Sequence, residues 1–239
     1  MLRSGGLEKI RPKNNMLSLV ATPIGNLEDI TLRALRTLKE ADLIVAEDTR
    51  HSRILLQKYE IKTPMRSFHS HSSDREIVAI MELLKQEKNV ALISDAGMPG
   101  ISDPSYALVS RAITEGIPLT VIPGPSAVTN AVVASGLPSH RFLYLGFLPL
   151  KKGRKKLIAE LREVKHTIVL YEAPHRLLRT LNELQETLGD RRVAVCREMT
   201  KIFEEFFRGR LSDAIAHFSA KTPKGEFTLV IGSFDILDT

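Results

Sequence analysis

Residues 90–104 have the sequence VALISDAGMPGISDP, which contains the clearest signal of the chain's architecture. It begins with a short apolar run, Val90–Ser94, which is typical of a strand buried on both faces. A turn rich in glycine and proline follows the run, and Pro104–Glu115 has the apolar spacing of an amphipathic helix. A buried strand, a polar turn and a helix in succession predict an α/β protein whose sheet is covered by helices on both faces.

Two further turns of this kind follow apolar runs elsewhere in the chain. They are VATPIGN at residues 20–26 and VIPGPSA at residues 121–127. Ligands of open α/β sheets bind beyond the carboxyl ends of the strands, so three such loops can build one pocket. Glycine lets a ligand approach the main chain, and proline stiffens the loop. The alternative is that each turn only joins a strand to a helix.

The periodic segments divide the chain into a tail and two domains. Residues 1–15 have no apolar period and are predicted to be a mobile tail. Residues 16–138 are predicted to form one α/β domain and residues 139–239 a second, with the boundary near 137–140. The expected strands are 17–22, 43–46, 90–94, 119–122, 142–145, 167–171, 192–196, 205–210 and 227–234, and the expected helices are 29–40, 75–85, 104–115, 126–134, 155–164, 176–188 and 213–218.

The composition excludes several classes of protein. Of the 239 residues, 43% are hydrophobic and 26% are charged, which is typical of a folded globular protein. Cys196 is the only cysteine, which excludes a disulfide framework and suits a reducing compartment. The longest uncharged run, residues 116–139, contains four prolines and therefore does not form one membrane-spanning helix. We expect a cytoplasmic protein without a membrane anchor.

The net charge of +6 is concentrated in the second predicted domain. Residues 139–239 carry a net charge of +5, whereas residues 16–138 carry −2. Five cations lie within six positions at KKGRKK, residues 151–156, where a helix is expected to begin. Positive charge is unfavourable at a helix N-terminus, so a contact with a nucleic-acid phosphate backbone explains this placement. A solvated linker is the alternative.

Ionisable side chains also follow the second expected strand. The sequence AEDTR places two carboxylates, Glu47 and Asp48, beside Arg50. A helix N-cap formed by Asp48 would explain only one of these residues. His69 and His71, in SFHSHS, lie two positions apart and so share one face of an extended segment. Without a third ligand they indicate substrate-binding or solvated histidines rather than a metal site.

Several common nucleotide and metal motifs are absent. The chain has no G-x-G-x-x-G after its first strand, no G-x-x-x-x-G-K-[ST], no C-x-x-C and no H-E-x-x-H. This argues against a standard dinucleotide site, a nucleoside-triphosphate loop and a metal centre. The segment YEAPHR, residues 171–176, ends a strand with an aromatic ring, a carboxylate and cationic groups. An interdomain salt bridge is the alternative explanation of these charges.

Six motifs, taken in order, resemble those of the ribosomal RNA small subunit methyltransferase I family. They are ATPIGNLEDIT, AEDTR, ISDAGMPGISDP, IPGPSA, YEAPHR and REMTK, and the similarity extends from Met16 to the C-terminus. That family belongs to the tetrapyrrole-methylase-like, or class III, group of S-adenosyl-L-methionine enzymes.

The resemblance implies both a fold and a reaction. The implied fold is a homodimer of subunits with two α/β domains, with S-adenosylmethionine bound in the cleft between the domains. The implied reaction is 2′-O-methylation of the ribose of a decoding-centre cytidine in the 16S ribosomal RNA of the small subunit. Carried over motif by motif, the residues implied to bind the methyl donor are Pro23, Ile24, Asp95, Gly97, Met98, Ser126, Ala127, Tyr171 and Thr228.

This reaction needs a proton acceptor and contacts with RNA phosphates. The 2′-hydroxyl group loses its proton during transfer, so a nearby acceptor helps. Where the family has H-E-H-N, this chain has His69-Ser70-His71-Ser72, so no base is carried over from that glutamate. The candidate acceptors are Glu47, Asp48, His69 and His71. The candidate RNA contacts are Arg50, Arg176, Lys151, Lys152, Arg154, Lys155 and Lys156.

Two other functions remain open from the sequence. A tetrapyrrole methyltransferase of the precorrin type would share the donor loops, but a small anionic macrocycle does not require the cations of residues 151–156. A non-catalytic RNA-binding protein would share the basic surface but would have no use for donor loops. Calorimetry with S-adenosylmethionine separates this last class from both enzymes.

Overall fold

The computed structural model describes residues 15–69 and 74–233. The predicted tail, apart from Asn15, lies outside the described residues, as does His71. Backbone contacts divide the chain into two compact units. Unit 1 comprises the residues up to Thr22 together with Ile30–Gly124, and unit 2 comprises Pro23–Asp29 together with the residues from Pro125 onward.

The described part of unit 1 contains a parallel sheet and the helices that connect its strands. The strands are β1 Leu17–Val20, β2 Leu43–Ala46, β3 Met65–Ser67, β4 Val90–Ile93 and β5 Leu119–Ile122, and the helices are α1 Leu32–Glu40, α2 Thr49–Lys58, α3 Asp74–Lys85 and α4 Tyr106–Thr114. The strand order is β3-β2-β4-β1-β5, and all pairs are parallel. The carboxyl ends of all five strands therefore lie at one edge of the sheet.

The alternation of side chains along the strands accounts for the core of unit 1. Leu17 and Leu19 of β1 and Leu92 of β4 point to one face of the sheet, where they contact the apolar sides of α3 and α4. Leu84 and Leu108, from those helices, are fully buried in the same cluster. Each such leucine stabilises the fold by about 1.5–3 kcal/mol relative to an exposed one.

The described part of unit 2 contains a mixed sheet. Its elements are α5 Ala127–Ser135, β6 Phe142–Phe147, α6 Arg154–Glu160, β7 Thr167–Glu172, α7 Leu177–Leu188, β8 Arg192–Arg197, β9 Glu205–Arg210, α8 Leu211–Ser219 and β10 Phe227–Ile231. The strand order is β6-β7-β10-β8-β9. β6 and β7 are parallel, and the other neighbouring pairs are antiparallel.

The two faces of the unit 2 sheet are covered by different helices. Leu170 of β7 and Leu229 of β10 point to the face that packs against α6, α7 and α8. Val169 and Val230 point to the opposite face, where they pack against α5. The central residues of both strands are consequently apolar on both faces, as the continuous hydrophobic runs in the sequence indicate.

The predicted fold class, two α/β units, is confirmed. The units divide at Gly124 and Pro125 rather than near residues 137–140, because α5 packs against β7, β8 and β10 and so belongs to unit 2. Helix α2 and strand β3 were not expected, and α6 ends at Glu160, short of the predicted 164. In the part of the chain that the structure describes, every helix is too short or too polar to cross a membrane.

Candidate active site

The loops that follow β1 and β4 are joined by main-chain hydrogen bonds. Thr22 N donates to Gly97 O over 2.9 Å, and Gly97 N donates to Thr22 O over 3.0 Å. The Thr22 hydroxyl group also donates to the Ser94 carbonyl oxygen over 3.2 Å. Gly97 has a φ of +78°, a conformation that glycine adopts without strain. The two loops therefore form one ordered surface at the carboxyl edge of the unit 1 sheet.

Two aspartates organise the loop after β4. Asp95 accepts a hydrogen bond from Asp48 N over 2.9 Å, which ties this loop to the start of α2. Asp103 accepts hydrogen bonds from Gly100 N over 2.6 Å and from Ser105 N over 2.8 Å. Asp103 was not among the predicted site residues, although it lies within residues 90–104. Its carboxylate holds the far end of the loop in place.

Glu47 and Asp48, the two carboxylates after β2, have different environments. Burial is the largest cause that raises the pKa of Glu47, and the negative charges of Asp95 and Asp103 raise it further. A hydrogen bond from the Arg50 side chain lowers the pKa of Asp48 to about 2, and the Arg50 main-chain N–H, 2.8 Å away, adds to this effect. Glu47 is therefore the better proton acceptor of the two.

The structure supports a capping role for Asp48. Asp48 is the N-cap of α2, and its carboxylate binds the Arg50 guanidinium with an Nη2–Oδ2 distance of 2.8 Å. The prediction of Asp48 as a catalytic candidate needs this correction, because both carboxylate oxygens already accept hydrogen bonds from Arg50. Arg50 itself is 89% exposed, so its guanidinium also faces solvent.

His69 follows β3 and is exposed. Because β3 pairs with β2 in parallel, His69 lies at the same edge of the unit 1 sheet as Glu47. The other predicted histidine, His71, lies outside the described residues. Among residues 15–69 and 74–233, no group of three or more histidine, cysteine or acidic side chains is placed to hold a metal ion.

The predicted donor-binding residues of unit 2 gather around α5. Tyr171 and Thr228 lie directly opposite each other on β7 and β10, so their side chains share one face of the sheet. Ile24 and Ala127 belong to the apolar cluster on that face, and Ser126 is the N-cap residue of α5. Pro23 precedes Ile24 and is buried, and Gly97 and Met98 lie on unit 1, in the loop after β4.

The ring of Tyr171 is held by two other aromatic rings. Its centroid lies 5.4 Å from that of Tyr144 and 5.6 Å from that of Phe147. Burial raises the pKa of Tyr171, so its hydroxyl group stays protonated at neutral pH. Cys196, opposite Thr228 in the sheet, is buried too, and burial raises the pKa of its thiol to about 12. Tyr171 and Cys196 on this face are therefore uncharged at neutral pH.

Arg154 differs from the other cations of the KKGRKK segment because it is buried. Its side chain is 2% exposed and donates to Glu183 Oε2 over 2.6 Å, to Thr180 Oγ1 over 2.7 Å and to Pro149 O over 3.2 Å. Each of the three guanidinium nitrogen atoms therefore donates a hydrogen bond inside unit 2. We therefore remove Arg154 from the predicted RNA contacts. Lys151, Lys152, Lys155 and Lys156 are exposed.

Arg176 also has a structural role inside unit 2. Its Nε lies 3.1 Å from Glu172 Oε1, and its Nη2 donates to Leu148 O over 2.6 Å. Glu172 is fully buried and also accepts a hydrogen bond from the Thr180 hydroxyl group. The predicted phosphate clamp at Arg176 therefore needs correction, and so does the interdomain alternative, since both partners belong to unit 2.

Comparison with known proteins first defines the class. The sequence profile described as Tetrapyrrole (Corrin/Porphyrin) Methylases matches residues 16–215. The crystal structure of uroporphyrin-III-C-methyltransferase from Thermus thermophilus superposes with a TM-score of 0.65 and 22% sequence identity, covering 91% of this chain and 94% of that one. This likeness shows the fold, and the profile match shows that the chain is a member of the tetrapyrrole methylase family.

Relatives with higher sequence identity identify the family within this class. Ribosomal RNA small subunit methyltransferase I of Thermotoga maritima is 54% identical over 215 residues, which are 90% of this chain and 97% of the relative. The protein of the same name from Halalkalibacterium halodurans is 49% identical, over 92% of this chain and 77% of the relative. The chain belongs to the ribosomal RNA small subunit methyltransferase I family and is an S-adenosylmethionine-dependent methyltransferase.

The residues of both units suit this methyl donor. In unit 1 the carboxylates of Glu47, Asp95 and Asp103 provide negative charge, which favours a ligand carrying a positively charged sulfur and an ammonium group. In unit 2 the half-buried Tyr171 ring offers an aromatic surface for a flat heterocycle.

Proposed function

We propose that the chain methylates the 2′-hydroxyl group of a decoding-centre cytidine in the 16S ribosomal RNA of the small subunit. The observation that carries this proposal is that relatives named for ribosomal RNA of the small subunit align with 90% or more of the chain. The exposed lysines of residues 151–156 supply the positive surface that such a substrate requires. A tetrapyrrole substrate is less well supported, because the solved tetrapyrrole enzymes share only the fold.

Donor binding is assigned to the two groups of residues already described. In unit 1 these are Asp95, Gly97 and Met98, in the loop that the Thr22–Gly97 hydrogen bonds hold in place. In unit 2 these are Pro23, Ile24, Ser126, Ala127, Tyr171 and Thr228. When bound, S-adenosylmethionine supplies a methyl group activated by a positively charged sulfur. Holding the acceptor oxygen in line with that group lowers the barrier to methyl transfer.

Glu47 is the acceptor of the ribose proton in this proposal. Burial and the neighbouring charges of Asp95 and Asp103 raise its pKa, which makes the carboxylate a stronger base than an ordinary glutamate. His69, at the same edge of the sheet, is the second candidate. Asp48 is a poor acceptor because Arg50 keeps its pKa near 2.

The experiment that tests the proposal is tritium transfer from S-adenosylmethionine to purified small ribosomal subunits that lack the modification. We expect label on one cytidine ribose, identified by nucleoside mapping after nuclease digestion. Label on a base or on the large subunit, or no label while a tetrapyrrole precursor is methylated, would refute it. At saturating donor concentration, the Glu47→Gln variant should transfer the label more slowly than the wild-type protein.

The proposal includes two features that the family resemblance implies. The enzyme is expected to work as a homodimer in the cytoplasm. Light scattering on the purified protein measures the first feature, and a mass near the 26.7 kDa of a single chain would contradict it. Fractionation of cells that produce the protein tests the second.

A further inference from the structure

A cavity of about 700 Å³ opens on unit 2 and is not part of the site described above. It lies between the end of α8, the loop that leads into β10, and the facing ends of β8 and β9. The edges of Phe218 and Phe227 form an apolar floor, and these two rings pack against each other with their centroids 5.7 Å apart. The lining residues are Arg197, Glu205, His217, Phe218, Ala220, Lys221, Thr222, Pro223, Lys224 and Phe227.

The charged groups around this cavity leave an excess of positive charge at its mouth. Glu205 is the only acidic lining residue, and it is bound by Arg197 over 3.2 Å and by His217 over 2.6 Å. Lys221 and Lys224 are exposed. Among the described residues no acidic side chain lies within ion-pair distance of either lysine, so both ammonium groups are available to an anion.

The main chain beside Lys224 is held in one conformation. Arg197 Nε donates to Lys224 O over 2.7 Å, and Glu198 Oε1 accepts a hydrogen bond from Glu226 N over 2.8 Å. Gly225 has a φ of +97°, and a Cβ atom at this position would lie 2.4 Å from the Glu198 side chain. Only glycine fits there. The fixed loop costs a ligand little ordering entropy when it binds.

The strand register places this cavity at the same edge of the unit 2 sheet as the lysines that follow β6. Phe147 pairs with Tyr171, the neighbouring Glu172 pairs with Phe227, and Phe227 pairs with Arg197. The end of β6, which leads to Lys151 and Lys152, is therefore two strands away from the start of β10. The two strand ends that adjoin the lysine-bearing loops are therefore about 10 Å apart, and an RNA backbone that follows this edge of the sheet passes both loops.

We propose that this cavity is a second RNA subsite, in which Lys221 and Lys224 bind phosphates and the Phe218–Phe227 floor contacts a ribose or base. The proposal rests on the proposed function, since it assigns further contacts to the same RNA substrate. It extends the basic surface of residues 151–156 into a continuous path along one sheet edge. Such a path strengthens binding to the phosphate backbone and fixes the register of the substrate.

The test compares two variants that each remove two positive charges. Lys221→Gln with Lys224→Gln changes the cavity, whereas Lys165→Gln with Arg192→Gln changes two exposed cations at the opposite edge of the same sheet. Affinity for unmodified small ribosomal subunits is measured by filter binding across a salt series. Melting temperature and affinity for S-adenosylmethionine are measured on the same samples.

We expect the cavity variant to lose at least tenfold in affinity at low salt. Its slope of log affinity against log salt should be smaller by about 0.7 per lost phosphate contact, with donor affinity and melting unchanged. Equal behaviour of the two variants would overturn the subsite. If the wild-type protein binds the subunits through these lysines but transfers no label, the subsite stands and the proposed function fails. If it transfers label while the cavity variant binds normally, the subsite alone fails.

Discussion

At the scale of single residues, Arg154 shows how strongly burial changes the role of a charge. The four lysines of the KKGRKK segment are exposed, whereas Arg154 lies on the same helix face as Ile158 and Leu161. That spacing of four and seven residues is the signal of a buried helix face. This spacing is visible in the sequence, but the count of five cations led to the prediction that Arg154 is exposed with the lysines.

We expect Arg154→Ala to lower the free energy of unfolding by about 3–5 kcal/mol. The change leaves Glu183, Thr180 and the Pro149 carbonyl group without the guanidinium that now satisfies them. Urea denaturation followed by circular dichroism measures the loss. Lys155→Ala, at an exposed neighbouring position, is the control and should change stability by less than about 0.5 kcal/mol. Equal stability of the two variants would contradict the buried network.

Glu47 should reduce stability at neutral pH, because its pKa in the folded chain is raised. A carboxyl group with a raised folded-state pKa binds its proton more tightly when folded, so it costs stability once pH exceeds the ordinary value of 4.5. We expect Glu47→Gln to melt at a higher temperature than wild type at pH 7 and at the same temperature near pH 4. Methyl transfer should fall in the same variant.

Calorimetric scans between pH 4 and pH 8 measure this difference. Glu40→Gln, at the exposed end of α1, removes the same charge from another position of unit 1 and serves as the control. A Glu47→Gln profile parallel to that of wild type would show that the acidic group of Glu47, Asp95 and Asp103 exerts no strain on the fold.

At the scale of secondary-structure elements, prediction succeeded where apolar residues are continuous and failed where they are sparse. β1 and β4 are buried along their whole length, so their apolar runs were recognisable. The helix α2 begins with the polar residues TRHSR and buries only Ser52, Leu55 and Leu56, which leaves almost no period to detect. β3 has three residues, none of them buried, and lies at the edge of its sheet.

The loop after β4 offers a prediction at this scale. Asp95→Ala should weaken binding of S-adenosylmethionine by about tenfold, because the carboxylate lies in the proposed donor loop and holds Asp48 N. Pro99 lies in the same loop but is buried, so its replacement would also affect packing and would not test donor binding alone. Isothermal titration calorimetry gives the affinity, and a melting curve verifies the fold.

Asp74→Ala is the matched control for that experiment. Asp74 is an exposed acidic residue at the start of α3, in the same unit and with the same charge. Donor affinity should be unchanged in this variant. If Asp95→Ala binds the donor as tightly as Asp74→Ala does, the loop after β4 does not belong to the donor site.

At the scale of the whole molecule, the order of the six motifs along the chain said more about the function than the composition or periodicity of any one segment. Ser126, Tyr171 and Thr228 are ordinary strand and helix-start residues whose shared position depends on the pairing of β7 with β10. Strand pairing over more than fifty residues leaves no local trace in a sequence. Charge was the exception, because the net charge of +5 in residues 139–239 is visible without any structure.

That charge leads to a prediction for the complete enzyme. If Lys151, Lys152, Lys155 and Lys156 contact phosphates, replacing all four with glutamine should weaken binding to small ribosomal subunits and leave donor affinity intact. The slope of log affinity against log salt should become smaller by about 0.7 for each contact with single-stranded RNA that is lost. The target nucleotide should stay the same, because backbone contacts position a substrate and do not read its bases.

Among the four lysines, Lys156 should contribute least, since its ammonium group lies 4.0 Å from Glu160 and is partly neutralised. Methyl transfer and affinity for the subunits, measured across a salt series, distinguish an RNA contact from a solvated segment. A solvated segment predicts that neither the activity nor the slope changes. An unaltered slope in the fourfold variant would exclude these lysines from the RNA surface.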